Sequence, residues 1–340
     1  MKGRLQRLWY RRSFWHVPLL PASWLFGGLV WLRSTLYRLG WLKSVALPVP
    51  VVVVGNISVG GTGKTPLVLW LIAFLRRNGF HPGVVSRGYG GAGARPQPVT
   101  PDSAPAQVGD EPVLLARRGG CPVWVGRDRV AAAQALLRAH RECDVLLSDD
   151  GLQHYRLRRD VEIAVVDGAR RFGNGLLLPA GPLREGVRRL DSVDAVVVNL
   201  GNDPAERLGP GRGREYSMGL RGRMFYNLAQ PKLRLAPEEL RGKRLHAVAG
   251  IGNPQRFFDF LRDLGLAVTE HAFPDHHPYC PGDLHFAQAD AILMTEKDAV
   301  KCARFGCGDC WALAVEPEVD PGLGARLLDK MRKRDGPKIA

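Results

Sequence analysis

No aspartate or glutamate occurs in the first 101 residues, although that stretch carries thirteen lysines and arginines; the first carboxylate is Asp102. Over 340 residues the formal net charge is +15. A cationic segment with no acid of its own is suited to meet an anion: a nucleic acid, an anionic membrane surface or a phosphorylated ligand. Zinc-finger, homeodomain and RNP-like patterns are missing as well, which argues against nucleic acid. The six cysteines form no paired framework, which excludes a disulfide-stapled secreted scaffold and fits a reducing compartment. Cys302, Cys307 and Cys310 have a C-x4-C-x2-C spacing, and Cys280 offers a fourth ligand, so a metal site is one reading; free thiols are the expectation. A long apolar run is also lacking near the N-terminus. Residues 17–32 are sixteen in a row without charge, short of the roughly eighteen that a spanning helix needs.

Pro18, Pro21, Gly27 and Gly28 are expected to break that run further, and no small-residue cleavage site follows it. Beyond it Arg33, Arg38 and Lys43 interleave with Trp31, Tyr37 and Trp41. Cationic side chains and amphipathic rings around a short apolar helix suit the headgroup region of a bilayer. Residues 1–45 are therefore read as a basic amphipathic segment lying on an anionic membrane surface.

What is present next is a β-branched run at residues 48–55, a buried parallel strand by its pattern, and a helical pattern at residues 63–79. The turn between them is rich in glycine, which lets backbone N–H groups approach a phosphate at a helix N-terminus. The common phosphate-loop pattern G-x-x-x-x-G-K-[ST] would open with glycine at position 58, where Ser58 stands. Val59, Gly60, Gly61, Thr62, Gly63, Lys64 and Thr65 follow, close to the variant of ParA-like and MinD-like ATPases but with Val59 in place of its signature lysine. Lys64 is expected to neutralise the β/γ-phosphates and Thr65 to coordinate Mg²⁺.

Four further groups carry charge to places where chemistry is done. The apolar run "CDVLLSDD" ends in Asp149 and Asp150, where parallel strands end and ligands bind; a Mg²⁺ role follows from their pairing with the phosphate loop. "VGDEP", residues 108–112, follows a Gly, Pro and Ala-rich stretch and is read as an exposed connection. "FPDHHPY", residues 273–279, crowds Asp275, His276 and His277 between prolines, and "TEKDAVK", residues 295–301, follows an apolar strand as a helix start.

Taken in order, "VVVVGNISVGGTGKTP", "SRGYGG", "VGDEP", "SDDGLQH", "LPAGPLRE", "FPDHHPY" and "TEKDAVK" resemble the tetraacyldisaccharide 4'-kinase family over roughly residues 10 to 315. That family's phosphate loop also starts with a small hydroxyl residue, as Ser58 does here. The resemblance implies ATP and Mg²⁺ as cofactors and transfer of the γ-phosphate to the 4'-hydroxyl of an acylated disaccharide-1-phosphate lipid in lipopolysaccharide biosynthesis. It implies a peripheral enzyme on the cytoplasmic face of the bacterial inner membrane. By motif, Asp110 and His276 look like a base dyad, with His277 the other candidate for the partner. Lys64 and Thr65 bind phosphates and Mg²⁺, and Asp149 and Asp150 hold the metal or organise its water shell. Arg87, Tyr89, Gln153, Arg184 and Glu185 match positions near the nucleotide or sugar phosphate. Nothing specifies a protein partner.

Strand-like runs at 49–55, 82–86, 121–125, 144–149, 161–167 and 194–199 alternate with helical stretches, which implies an α/β fold: a phosphate-loop, doubly wound parallel sheet. The alternation resumes from Lys243 to Glu316 as a second, smaller α/β domain. The expected division is a membrane segment at 1–45, a kinase core at 46–215 and a closing domain at 216–340. The alternative is a ParA-like or MinD-like membrane-associated regulatory ATPase, which predicts a lysine at position 59 and no base dyad. "GIGNP", residues 250–254, is a weak hint of a second nucleotide site.

Overall fold

The structure, a computed structural model, describes residues 9–10, 14–88, 95–201 and 214–335. Helix α1 (Leu20–Arg38) precedes the strand β1 (Val51–Gly55), the helix α2 (Lys64–Arg77) and the strands β2 (Pro82–Ser86) and β3 (Gln97–Val99). Then come α3 (Asp110–Gly119), β4 (Val123–Val125), α4 (Arg129–Ala139), β5 (Val145–Asp149), β6 (Val161–Asp167), β7 (Ala195–Gly201) and β8 (Glu215–Asn227). The rest of the chain forms β9 (Arg234–Leu235), β10 (Leu245–Ala249), α5 (Pro254–Asp263), β11 (Val268–Ala272), β12 (Ala291–Thr295), α6 (Glu296–Cys302), β13 (Cys310–Val319) and α7 (Pro321–Asp335).

Among the described residues one sheet runs in the order β3, β4, β2, β5, β1, β6, β7, β8, β13, β12, β10, β11. Strand β1 is central and parallel to both β5 and β6, with Val52 opposite Leu147 and Val161. Its four valines are all buried because side chains alternate between two covered faces. Val52 and Val54 join the core with Leu67 and Leu71 of α2, whereas Val51 and Val53 join the core on the other face with Leu136 of α4. The second half repeats this: Leu293 packs with Phe258 on one face, and Ile292 and Met294 pack with Tyr279 on the other.

The halves are joined by β8, which pairs in parallel with β7 and antiparallel with β13. The sheet thus continues across the expected division at 216. At the chain's end α7 crosses back, placing Leu323, Leu327 and Met331 in the core of α2.

The expected break in the N-terminal apolar run is corrected at Gly27 and Gly28: Pro18 lies before α1, in a 3-10 helix over Phe14–Leu19, but α1 passes through both glycines without interruption. Pro21 lies in its first turn, where a missing N–H costs no hydrogen bond. Gly27 has a packing reason, since a Cβ there would lie 2.7 Å from Leu177 Cδ1. Ser23 anchors the helix by donating to the Leu177 carbonyl at 2.7 Å. No helix of the described residues is long and apolar enough to cross a membrane. The expectation of free thiols is corrected at Cys307 and Cys310, whose Cα atoms stand 5.4 Å apart and whose sulfurs are joined in a disulfide, within the spacing such a bond requires. Cys302 and Cys280 are free, the first buried and the second exposed.

Candidate active site

The phosphate loop is shaped where glycine is required. Gly60 and Gly63 have φ of 110° and 93°, a left-handed backbone that side chains disfavour. A Cβ on Gly63 would also fall 2.2 Å from Asn199 Nδ2. Position 58 needs no such freedom: Ser58 is buried in an antiparallel bridge to Leu183, and the next residue, Val59, donates its N–H to the Pro182 carbonyl at 2.8 Å. The "GPLRE" segment therefore clamps the loop's entry. Its exit is held by Asn199, whose Nδ2 donates to the Thr62 carbonyl at 3.0 Å. Gly63 caps α2, so the positive end of that helix faces the loop.

Asp149 ends β5 and Asp150 follows it beside the loop, but they stand in different surroundings. Lys64 Nζ is 3.3 Å from Asp150 Oδ1, and Arg184 reaches the same carboxylate at 3.3 Å. Burial opposes its ionisation, yet those two cations hold it well below the usual carboxylate range. Asp149 is fully buried; burial first, then the Glu111 carboxylate, push it up to about 7. Its Oδ2 accepts from the Ser86 hydroxyl at 3.3 Å, while its Oδ1 has no hydrogen-bond partner among the described residues. A buried carboxylate oxygen without a partner, next to the Thr65 end of α2, fits a hard cation with oxygen ligands such as Mg²⁺.

Asp110 is not on an exposed connection. It is 6% exposed and opens α3, covered by the second half of the chain, which local sequence does not reveal. His276 Nδ1 lies 3.1 Å from Asp110 Oδ2. His277 turns elsewhere, with its Nε2 3.0 Å from Asp283 Oδ2. Burial acts against the Asp110 carboxylate, but the hydrogen bond from His276 and the charge of Lys297 lower it to about 2. The same hydrogen bond raises His276 above its ordinary 6.5. His276 has φ 61°, a left-handed backbone held by its N–H donating to the Gly250 carbonyl at 3.1 Å.

Between the halves lies a cleft of about 540 Å³, lined by residues 61–66 of the loop on one side and by Arg256, Phe260 and residues 295–297 on the other. Asp110 and His276 flank this cleft rather than line it; their neighbours Glu111 and Lys297 line it, 3.0 Å apart across the two halves. The "GIGNP" turn, only a weak hint of a second nucleotide site in the sequence, lies at this cleft: a Cβ on Gly252 would lie 2.7 Å from Gly61 N. Sequence reasoning missed Asn199 and Arg256. Arg256 donates to Asn199 Oδ1 at 2.6 Å and so ties α5 to the loop's support. A polar residue ending the apolar strand β7 was the available signal for Asn199.

Of the other expected residues, Glu185 is buried and used internally, accepting from Gln153 Nε2 at 2.8 Å and the Tyr155 hydroxyl at 2.7 Å. Gln153 also reaches the Asn56 carbonyl at 3.0 Å, so both brace the loop from behind. Arg87 follows β2 at the same sheet edge, exposed. Tyr89 lies outside the described residues.

A glycine-shaped loop leading from the central parallel strand into a helix N-terminus, with a carboxylate pair beside it and an imidazole–carboxylate contact flanking the cleft, defines a phosphate-loop phosphotransferase. The family of tetraacyldisaccharide-1-P 4'-kinases matches residues 15–332, and the chain belongs to that family. The tetraacyldisaccharide 4'-kinase of Methylobacillus flagellatus is 52% identical over 97% of this chain and 96% of its own. That of Azoarcus sp. is 53% identical over 95% and 94%. The crystal structure of the "apo" form of LpxK from Aquifex aeolicus in complex with ATP superposes with a TM-score of 0.79 at 29% identity, covering 94% of this chain and all of that one.

Proposed function

We propose that this chain transfers the γ-phosphate of ATP to the 4'-hydroxyl of a tetraacyldisaccharide 1-phosphate on the cytoplasmic face of an inner membrane. Family membership supports the reaction. The observation that carries its mechanism is the 3.1 Å contact between His276 Nδ1 and Asp110 Oδ2, made between the two halves beside the cleft of the phosphate loop.

His276 is the outward member of that pair, 30% exposed against 6% for Asp110. Asp110 accepts the Nδ1 proton and leaves Nε2 as the base. As the sugar oxygen attacks the γ-phosphorus, its proton passes to Nε2, the new O–P bond forms, and the bond to the ADP oxygen breaks. Lys64 and the loop N–H groups carry the charge that gathers on the phosphoryl oxygens. Thr65 and Asp149 would hold Mg²⁺; Asp150, already engaged by Lys64 and Arg184, orients those groups. Mg²⁺ would supply further neutralisation of the β- and γ-phosphates.

The N-terminal helix suits a lipid acceptor. Trp24, Trp31 and Trp41 are 70%, 66% and 77% exposed, with Phe14, Leu25 and Leu29 also exposed. Such apolar surface beside Arg33 and Arg38 is the chemistry of a segment seated among headgroups.

Labelled ATP and a tetraacyldisaccharide 1-phosphate, incubated with the enzyme, should yield a doubly phosphorylated lipid. ATP hydrolysis that leaves the acceptor unchanged would overturn the reading.

A further inference from the structure

Asp298 is fully buried in α6, and each of its oxygens is directed at a part of the site that it does not itself enter. Oδ2 accepts from the Gly250 N–H at 3.1 Å and the Thr295 hydroxyl at 2.7 Å. Oδ1 lies 2.8 Å from Lys301 Nζ. Lys301 Nζ in turn stands 3.9 Å from Asp110 Oδ2, the oxygen that meets His276, and 5.0 Å from the centre of the Tyr279 ring.

The same carboxylate supports the other member of the pair through the backbone. Gly250 gives its N–H to Asp298 and its carbonyl to the His276 N–H. That second bond secures a histidine at φ 61°. Gly250 is itself confined, since a Cβ there would lie 2.9 Å from the Tyr279 hydroxyl and 3.1 Å from Asp298 Oδ1. One buried acid thus fixes His276 by way of Gly250 and faces Asp110 by way of Lys301.

A buried ion pair is a weak source of stability, because desolvating both charges offsets most of their attraction. Its value here lies in where the charge sits. A rigid cation beside Asp110 favours the carboxylate form and one rotamer of it, and a rigid Gly250 aims the imidazole.

The geometry points to Asp298 and Lys301 as positioning residues for the Asp110–His276 pair, a reading that rests on the function proposed above. Neither touches substrate. Misplacing a base by about 1 Å costs on the order of 10²-fold, so Lys301→Met and Asp298→Asn should each lower kcat by roughly 10- to 100-fold. KM for ATP should stay unchanged, because the phosphate loop is untouched. Lys301→Arg, which keeps the cation, should retain most of kcat.

The deciding measurement is a pair of mutant cycles in single-turnover phosphoryl transfer. On an Asp110→Ala background, Lys301→Met should add little further loss, since the group it positions is gone. On a Lys64→Ala background the two losses should multiply. If Lys301→Met does not fold by circular dichroism, Lys301→Gln keeps a polar though shorter side chain without the charge and carries the same cycles. Equal losses from the Lys301 change on the wild-type and Asp110→Ala backgrounds would overturn the positioning role, as would a wild-type kcat in Lys301→Met. Asp110→Ala with unimpaired kcat would instead remove the base pair itself, and the single variant shows that separately.

Discussion

In the phosphate-loop half, function is held by backbone. Gly60 and Gly63 supply left-handed turns, residues 182–184 clamp the loop's entry, and Asn199 fixes its exit through the Thr62 carbonyl. In the second half it is held by side chains: His276 on a turn, Lys297 and Lys301 on α6, and Arg256 on α5, each crossing the cleft to a partner in the first half. Phosphate is recognised by N–H groups that any sequence of the right turn geometry offers. A hydroxyl acceptor needs one base at one place, so its support is specific and spread along the chain.

The largest loss should come from the backbone-held side. Lys64→Ala removes the cation beside Asp150, proposed to meet the phosphates, and kcat should fall on the order of 10²-fold or more. The melting temperature should change little, because Arg184 still pairs Asp150. Retained turnover would mean that the loop binds something other than a triphosphate.

A smaller loss should follow from separating the halves. Gly252→Ala places a Cβ 2.7 Å from Gly61 N, and backbone cannot yield as a side chain does. Overpacking of this kind costs roughly 1–3 kcal/mol. Both kcat and the melting temperature should drop, and a silent substitution would show that the halves do not meet at this turn during turnover.

The pH profile sharpens the side-chain half. Asp110 raises His276 above 6.5 by favouring the protonated imidazole, and only the neutral ring can take a proton. kcat/KM should therefore fall as pH drops through a midpoint above 6.5, and Asp110→Asn should move that midpoint to lower pH. An unmoved midpoint would detach the titration from His276.

The smallest effect on chemistry should come from α1, the helix proposed to seat on the membrane. Trp24→Glu with Trp31→Glu should weaken flotation with anionic liposomes, and added salt should weaken the wild type too. Turnover of detergent-dispersed acceptor should persist. Equal flotation of the variant would assign membrane contact elsewhere.

The same contrast decides what could be read beforehand. Strands β1, β2, β5 and β6 were legible because a strand buried on both faces must be a β-branched or aliphatic run, and the loop was legible because glycines at φ above zero leave a pattern. The burial of Asp110 was not, since it depends on α6 docking from nearly two hundred residues away. Nor was the continuous α1: two glycines read as a break until Leu177 is found packed against Gly27. The crossing of α7 back to the first core has no local signature, because an amphipathic helix does not state which half it covers. Motif order pointed to Asp110 and His276 together; only the fold shows which histidine faces the acid.

The claim that one catalytic unit spans both halves is tested most directly by kcat for Asp110→Ala, His276→Ala and the double variant. Residues sharing one task lose it once, so the double variant should be little worse than the poorer single one. Losses that multiply would contradict a shared unit, and so would a silent His276→Ala beside a damaging His277→Ala.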